Sequence, residues 1–278
     1  MTGIDQTTFA EEVGQAGDNL SPVRAGLLLA RECAYPELQP SRSLAQLDEL
    51  AERAAPLLQS FTSAEARTDA LAEFLFQSEG FRGNTDDYTD PRNSYLNQVL
   101  ERRLGLPISL SIIFVELARR AGLPASGIGL PGHFIAGVIL DEGPIYLDPF
   151  HAGRRLTEAD CAELVSGVLG HPASLDPRWL RPTPPRDIVA RMLNNLRGFY
   201  VSVDDWSMAI RIVERLIVLQ PAASEHVRDL GILYYRRGAL GRAAELLGEY
   251  VRRSPAAPDA DAVRKGRDHL RDELARLN

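Results

Sequence analysis

The sequence lacks most of what would put it in a membrane, outside the cell or on nucleic acid. No run of eighteen apolar residues occurs among its 278 residues, so no segment is built to cross a bilayer as a helix. The opening MTGIDQTTFAEEVGQAGD is acidic and has no basic stretch followed by an apolar core, and so does not read as a secretory signal. There are 2 cysteines, Cys33 and Cys161, too few for a disulfide framework or a zinc site. A reducing cytoplasm is the expected setting. The net charge of -7, with basic residues scattered among acidic ones, disfavours nucleic-acid binding, which runs on neutralising phosphates. No group of histidine, cysteine and carboxylate residues shows metal-ligand spacing, and neither metal nor cofactor is expected.

What is there is enough for two modest domains, with 45% hydrophobic residues. Residues 1–19 show little pattern and read as a loose arm. Ser21 and Pro22 open a helix as N-cap and first helical residue. Leu44, Leu47, Leu50, Ala51 and Ala54 recur at helical spacing, and Thr62-Ser63-Ala64-Glu65 fits a capping box before a third helix. EGFRGNTDDYTDPRN, residues 79–93, is a loop by composition, long enough to ask for a function. A short helix is expected over 94–104.

From residue 107 the pattern changes. Ile108, Leu110, Ile112, Ile113, Phe114, Val115, Leu117 and Ala118 make a segment apolar nearly all round, which is the pattern of a helix buried on every side. PASGIGL, HFIAGVIL and PIYLD follow as short β-runs, the last two joined by a DEGP turn. The first domain, residues 20–170, is therefore α+β, helices followed by a small antiparallel sheet. Residues 171–187 hold five prolines and read as an interdomain linker, although Trp179 and Leu180 favour its being ordered. Residues 188–278 are helical and repeat. Pro221 and Pro255, Tyr200 and Tyr234, Ala209 and Ala243, and Leu196 and Leu230 stand 34 apart, the tetratricopeptide period. Helix pairs are expected at 187–202 with 205–219 and 224–237 with 240–253, capped by 259–277. Two repeats are fewer than an independent array needs, so these should lean on the first domain.

In the hairpin, two candidate registers have facing residues summing to 285 or to 281. Both place His133 and Asp148 on one face, and the second makes them direct neighbours. A helix start, a histidine and an aspartate in this order suggest a nucleophile, its base and the group that orients the base.

The order of helix, GLPGHF and YLDPFHAG resembles the transglutaminase-like (papain-related) core. Together with DDYTDPRNSYLNQVLERRLGLPISLS, it resembles the bacterial SirB-one family, which joins such a domain to tetratricopeptide repeats. The resemblance implies that His133 is the base and Asp148 its orienter. The family's cysteine at the helix start falls on Pro107, so the nucleophile is missing. Ser109 and Ser111 lie two and four residues on. A shift of four returns to nearly the same helix face, which makes Ser111 the better-placed hydroxyl. Serines between buried apolar residues usually bond the helix backbone instead. His133 reads equally as a core histidine satisfied by Asp148, and His151 as a surface residue near the cleft. Arg82, Asn84, Arg92 and Tyr95 crowd the loop before the buried helix, where they could bind a carboxylate or peptide backbone. The expected function is a non-catalytic, protein- or peptide-binding module. The alternative is a hydrolase or acyl transferase using Ser111 or Ser109 with His133 and Asp148.

Overall fold

A computed structural model describes residues 3–277 and divides into two compact units, Met1–Met192 and Leu193–Asn278. The first begins with α1 (Phe9–Ala16), α2 (Pro22–Cys33), α3 (Pro40–Gln59) and α4 (Ala64–Glu73). Residues 3–19, expected to be a loose arm, are ordered. Thr8 and Glu11 close a capping box at the start of α1, and Phe9 and Val13, four apart, bury a short apolar stripe as α1 packs on α2. A stripe of two residues is too short to stand out as periodicity. At α2, Ser21 accepts from the Arg24 N–H and Pro22 is the first helical residue, as its sequence dictates.

The long loop then contains β1 (Arg82–Gly83), which pairs in parallel with β2 (Leu104–Gly105) on the far side of α5 (Leu96–Arg102). Immediately after β2 comes α6 (Pro107–Arg120). Every residue from Pro107 to Val115 is buried, because the helix is surrounded by α2, α3, α4, α5 and the main sheet. Each large aliphatic or aromatic side chain buried this way contributes about 1.5–3 kcal/mol.

The main sheet is antiparallel in the order β3 (Ala125–Leu130), β4 (His133–Leu140), β5 (Gly143–Asp148), β6 (Arg154–Leu156). Pro131 and Gly132 form the turn between β3 and β4. Gly132 has φ +70, and a Cβ there would lie 2.3 Å from Val168, so both backbone and space require glycine. In the β4–β5 hairpin Ala136 faces Leu147, a sum of 283, midway between the two registers expected. A shift of two keeps the facing surfaces, so His133 and Asp148 still share one face, as diagonal rather than direct neighbours. β6, three residues long, carries too little pattern to be read from sequence.

Strand alternation sorts the sheet into two faces. Phe134, Ala136, Val138 and Leu147 point to the core that contains α6. Ile135 and Tyr146 point the other way, into a cluster with Cys161 and Val165 of α7 (Glu158–Leu169). His133 and Asp148 belong by register to this second set.

The proline-rich segment is a strap on β3 rather than a free linker. Trp179 and Leu180 pack on the second cluster, Thr183 N–H donates to Gly127 O (2.8 Å), and Thr183 Oγ1 accepts from Gly129 N–H (2.8 Å). Its prolines forbid a ladder, but these few bonds cover an otherwise open sheet edge. α8 (Pro185–Ser202) starts before the expected linker ends. The second unit continues with α9 (Trp206–Leu219), α10 (Ser224–Arg236), α11 (Leu240–Arg253) and α12 (Ala260–Leu277), consecutive members of α9 to α12 packing together. Ala209 and Ala243, one period apart, are both fully buried, as small residues at a repeated helix crossing should be. Among the described residues, no helix is long and apolar enough to cross a membrane.

Candidate functional site

Asp148 ends β5 and at once caps the 3-10 turn Pro149–His151. Its Oδ1 accepts from the N–H groups of Phe150 (3.1 Å) and His151 (3.4 Å), which leaves Oδ2 to face the side chains. Oδ2 meets His133 Nε2 at 3.0 Å and His151 Nδ1 at 2.8 Å. The carboxylate is fully buried, while His133 is 11% and His151 53% exposed. Burial pushes the Asp148 carboxyl up. Hydrogen bonds and charge from His133, then from His151, outweigh this and hold it below the ordinary aspartate value. An ionised carboxylate only accepts, so both facing ring nitrogens carry protons. Sequence spacing marked no metal-ligand set, yet folding brings the donor atoms of His133, Asp148 and His151 within 4.8 Å of one another, a group that could hold a metal ion.

Three further residues complete the surroundings. Phe150 stands edge-on to His133 (centroids 6.5 Å), to His151 (5.2 Å) and to Tyr88 (5.7 Å). It also packs against Gly83, where a Cβ would lie 2.6 Å from its ring and from its carbonyl oxygen. Because Gly83 pairs with Gly105, Phe150 links the start of α6 to the histidine. Arg191 of α8 donates to Leu130 O (3.0 Å) and His133 O (2.6 Å), clasping the Pro131–Gly132 turn, and its guanidinium lies over Phe134. Burial lowers its pKa and raises that of Tyr88. Sequence reasoning passed over all three as site residues. Phe150 was legible in principle, standing between Asp148 and His151. The place of Arg191 depends on how α8 docks, which no local motif encodes.

Pro107 is the buried first residue of α6. Ser109 Oγ donates to Asn93 O (2.7 Å) or Leu106 O (3.1 Å) and accepts from Leu106 N–H (2.9 Å). Ser111 Oγ donates to Phe134 O (3.3 Å). Both serines are fully buried, and neither hydroxyl bonds the His133 ring. The expected binding residues are largely occupied as well. Asn84 is buried, its Nδ2 donating to Asn93 Oδ1 (3.0 Å) and its Oδ1 accepting from Asp87 N–H (3.2 Å), so it organises the loop. Tyr95 is 1% exposed and edge-on to Tyr35, out of reach of a cleft. Arg92 folds back on Asp90 (2.9 Å), which Arg102 also holds (3.0 Å). Arg82 is exposed on β1.

The transglutaminase-like superfamily model matches residues 41–194, more than half of the chain, and runs from α3 into α8, spanning the whole site. The chain belongs to the transglutaminase-like superfamily. A tetratricopeptide repeat model matches the second part, residues 196–266. Among relatives of this superfamily member, a UPF0162 protein of Xylella fastidiosa is 37% identical over 250 residues, 89% of each chain. A UPF0162 protein of Pseudomonas aeruginosa is 33% identical over 209 residues, 75% of this chain and 76% of its own. F-box only protein 21 of Homo sapiens is 37% identical over 105 residues, 35% of this chain and 17% of its own. No solved structure matches the chain.

Proposed function

We propose that this chain is a non-catalytic, protein-binding member of the transglutaminase-like superfamily, in which the histidine–aspartate pair has a structural role and the repeats engage a peptide or protein partner. One observation carries the first half: no side-chain nucleophile is in place to use His133. Proline fills the family's cysteine position. The hydroxyls of Ser109 and Ser111 are committed to backbone carbonyls and do not bond the His133 ring. Cys33 and Cys161 are buried and not joined in a disulfide. Burial, then the charges of Asp160, Glu158 and Asp148, pushes the Cys161 thiol up to about 11, far from a reactive thiolate.

The second half rests on the repeat match and on the surface of the second unit. There a cavity of about 270 Å³ is lined by Val201, Trp206, Ile232 and Leu233, with Arg197, Asp229 and Arg236 at its polar side. Arg197 is tied to Asp229 (2.9 Å). Such a groove has room for one or two apolar side chains of a peptide whose acidic group meets Arg236.

The test is chemical. The native chain, treated with a fluorophosphonate probe at neutral pH, should stay unlabelled. Labelling that disappears in both Ser111→Ala and His133→Ala would establish a serine nucleophile and overturn the non-catalytic reading.

A further inference from the structure

We propose that His133, Asp148 and His151 form a binding site for a first-row divalent cation of the zinc type. Two imidazole nitrogens and one carboxylate oxygen are a donor set that suits zinc and its neighbours, whereas calcium and magnesium prefer oxygen alone. The three ligands come from different places: His133 opens β4, Asp148 ends β5 and His151 lies on the turn that follows. The site is therefore a product of folding and leaves no motif behind.

Several features make it a built site rather than a chance meeting of side chains. The carboxylate is fully buried and its orientation is fixed from behind, because the Phe150 and His151 N–H groups hold Oδ1. Ligand-orienting bonds of this kind accompany metal carboxylates. Among the described residues no arginine or lysine pairs with Asp148; its only side-chain partners are the two histidines. A cation on Oδ2 would share the carboxylate with the two imidazoles that already hold it. Entry is open on one side, since His151 is 53% exposed.

The geometry needs little adjustment. Oδ2 already lies 3.0 and 2.8 Å from the two nitrogens, spacings that neighbouring ligands on one ion can take. An ion about 2.1 Å from each nitrogen requires them to be no more than about 4.2 Å apart. Tetrahedral ligation would bring them to about 3.4 Å; they lie within 4.8 Å, so the closing movement is at most about 1.4 Å, and the half-exposed His151 ring can supply it. Protons balance without a co-reactant. In neutral rings the proton on His133 Nε2 moves to Nδ1 and that on His151 Nδ1 moves to Nε2, leaving a lone pair toward the ion at each ligand atom. Three protein ligands leave at least one coordination position for water or an outside donor. None of this depends on whether the chain binds a protein partner.

The experiment uses the untagged full chain, stripped with a chelator. Cobalt(II) is titrated in and its visible absorption followed, then zinc is added in competition. Expected are one equivalent of cobalt, displacement by zinc, and binding at least about 100-fold weaker in His151→Ala and in Asp148→Asn, with His171→Ala unchanged. Should a variant misfold, the native chain still decides: cobalt should shift and broaden the ring-proton resonances of His133 and His151 before those of His171 and His269. Binding that is equal in native and His151→Ala protein, or no zinc binding at about 100 µM, overturns the proposal, as does broadening that spares these two rings.

Discussion

Asp148 is the residue whose removal should be felt most. Its carboxylate satisfies four donors: the side chains of His133 and His151 and the backbone N–H groups of Phe150 and His151. His151 is half-exposed, so water can replace what its groups lose. The His133 ring and the Phe150 N–H are not so placed. A buried donor left without an acceptor costs about 1–3 kcal/mol, so Asp148→Ala should cost about 2–6 kcal/mol from these two. Asp148→Asn keeps an acceptor for the backbone pair and changes only the side facing the rings, so it should cost at least about 1 kcal/mol less. The pH dependence has a definite sign. The folded-state pKa of Asp148 lies below the ordinary value of about 3.9, so its contribution is present above that value and is lost as pH falls through the folded pKa. The difference between native protein and Asp148→Asn should then shrink below about pH 4. The assay is guanidinium unfolding with chelator present, in a Trp206→Phe background, so that Trp179, packed on the cluster that includes Ile128 and Ile135, reports the first unit alone. Asp148→Ala within about 0.5 kcal/mol of native, or no milder than Asp148→Asn, would refute the reasoning.

Two further outcomes are expected. Gly83→Ala places a Cβ 2.6 Å from both the ring and the carbonyl oxygen of Phe150, and backbone cannot swing aside as a side chain can; it should destabilise the first unit by about 1–3 kcal/mol, read from the same unfolding curve, and perturb the His133 resonances. A Cys161 thiol at about 11 is about 0.1% ionised at pH 8, against about a quarter for a free thiol of pKa about 8.5. In Cys33→Ser protein, iodoacetamide should therefore alkylate it at least about 200-fold more slowly folded than unfolded, and a ratio near one would show the thiol to be accessible and ordinary.

The parts legible in the sequence were those written in local pattern. The buried helix shows in the run from Ile108 to Ala118, the repeats in Ala209 with Ala243, and the face shared by His133 and Asp148 in the parity of the strands. The register itself was missed by two residues, because the two-residue Asp141–Glu142 turn fixes the pairing and parity alone does not. The binding role expected of Asn84 and Tyr95 failed because residue type does not reveal burial: a loop rich in polar groups must first satisfy itself, and Asn84 and Asn93 do so for each other. The strap at Thr183, the clasp of Arg191 and the meeting of His151 with Asp148 depend on segments brought together only by the fold.

One carboxylate ends a strand, starts a turn and orients two rings. The turn needs an acceptor at its first residue whether or not any reaction takes place nearby. An aspartate here is thus accounted for by folding alone, and its presence in a chain of this shape is no sign of lost or surviving chemistry. The informative position is His133, which caps nothing: what it does for the molecule has to be found in what it touches.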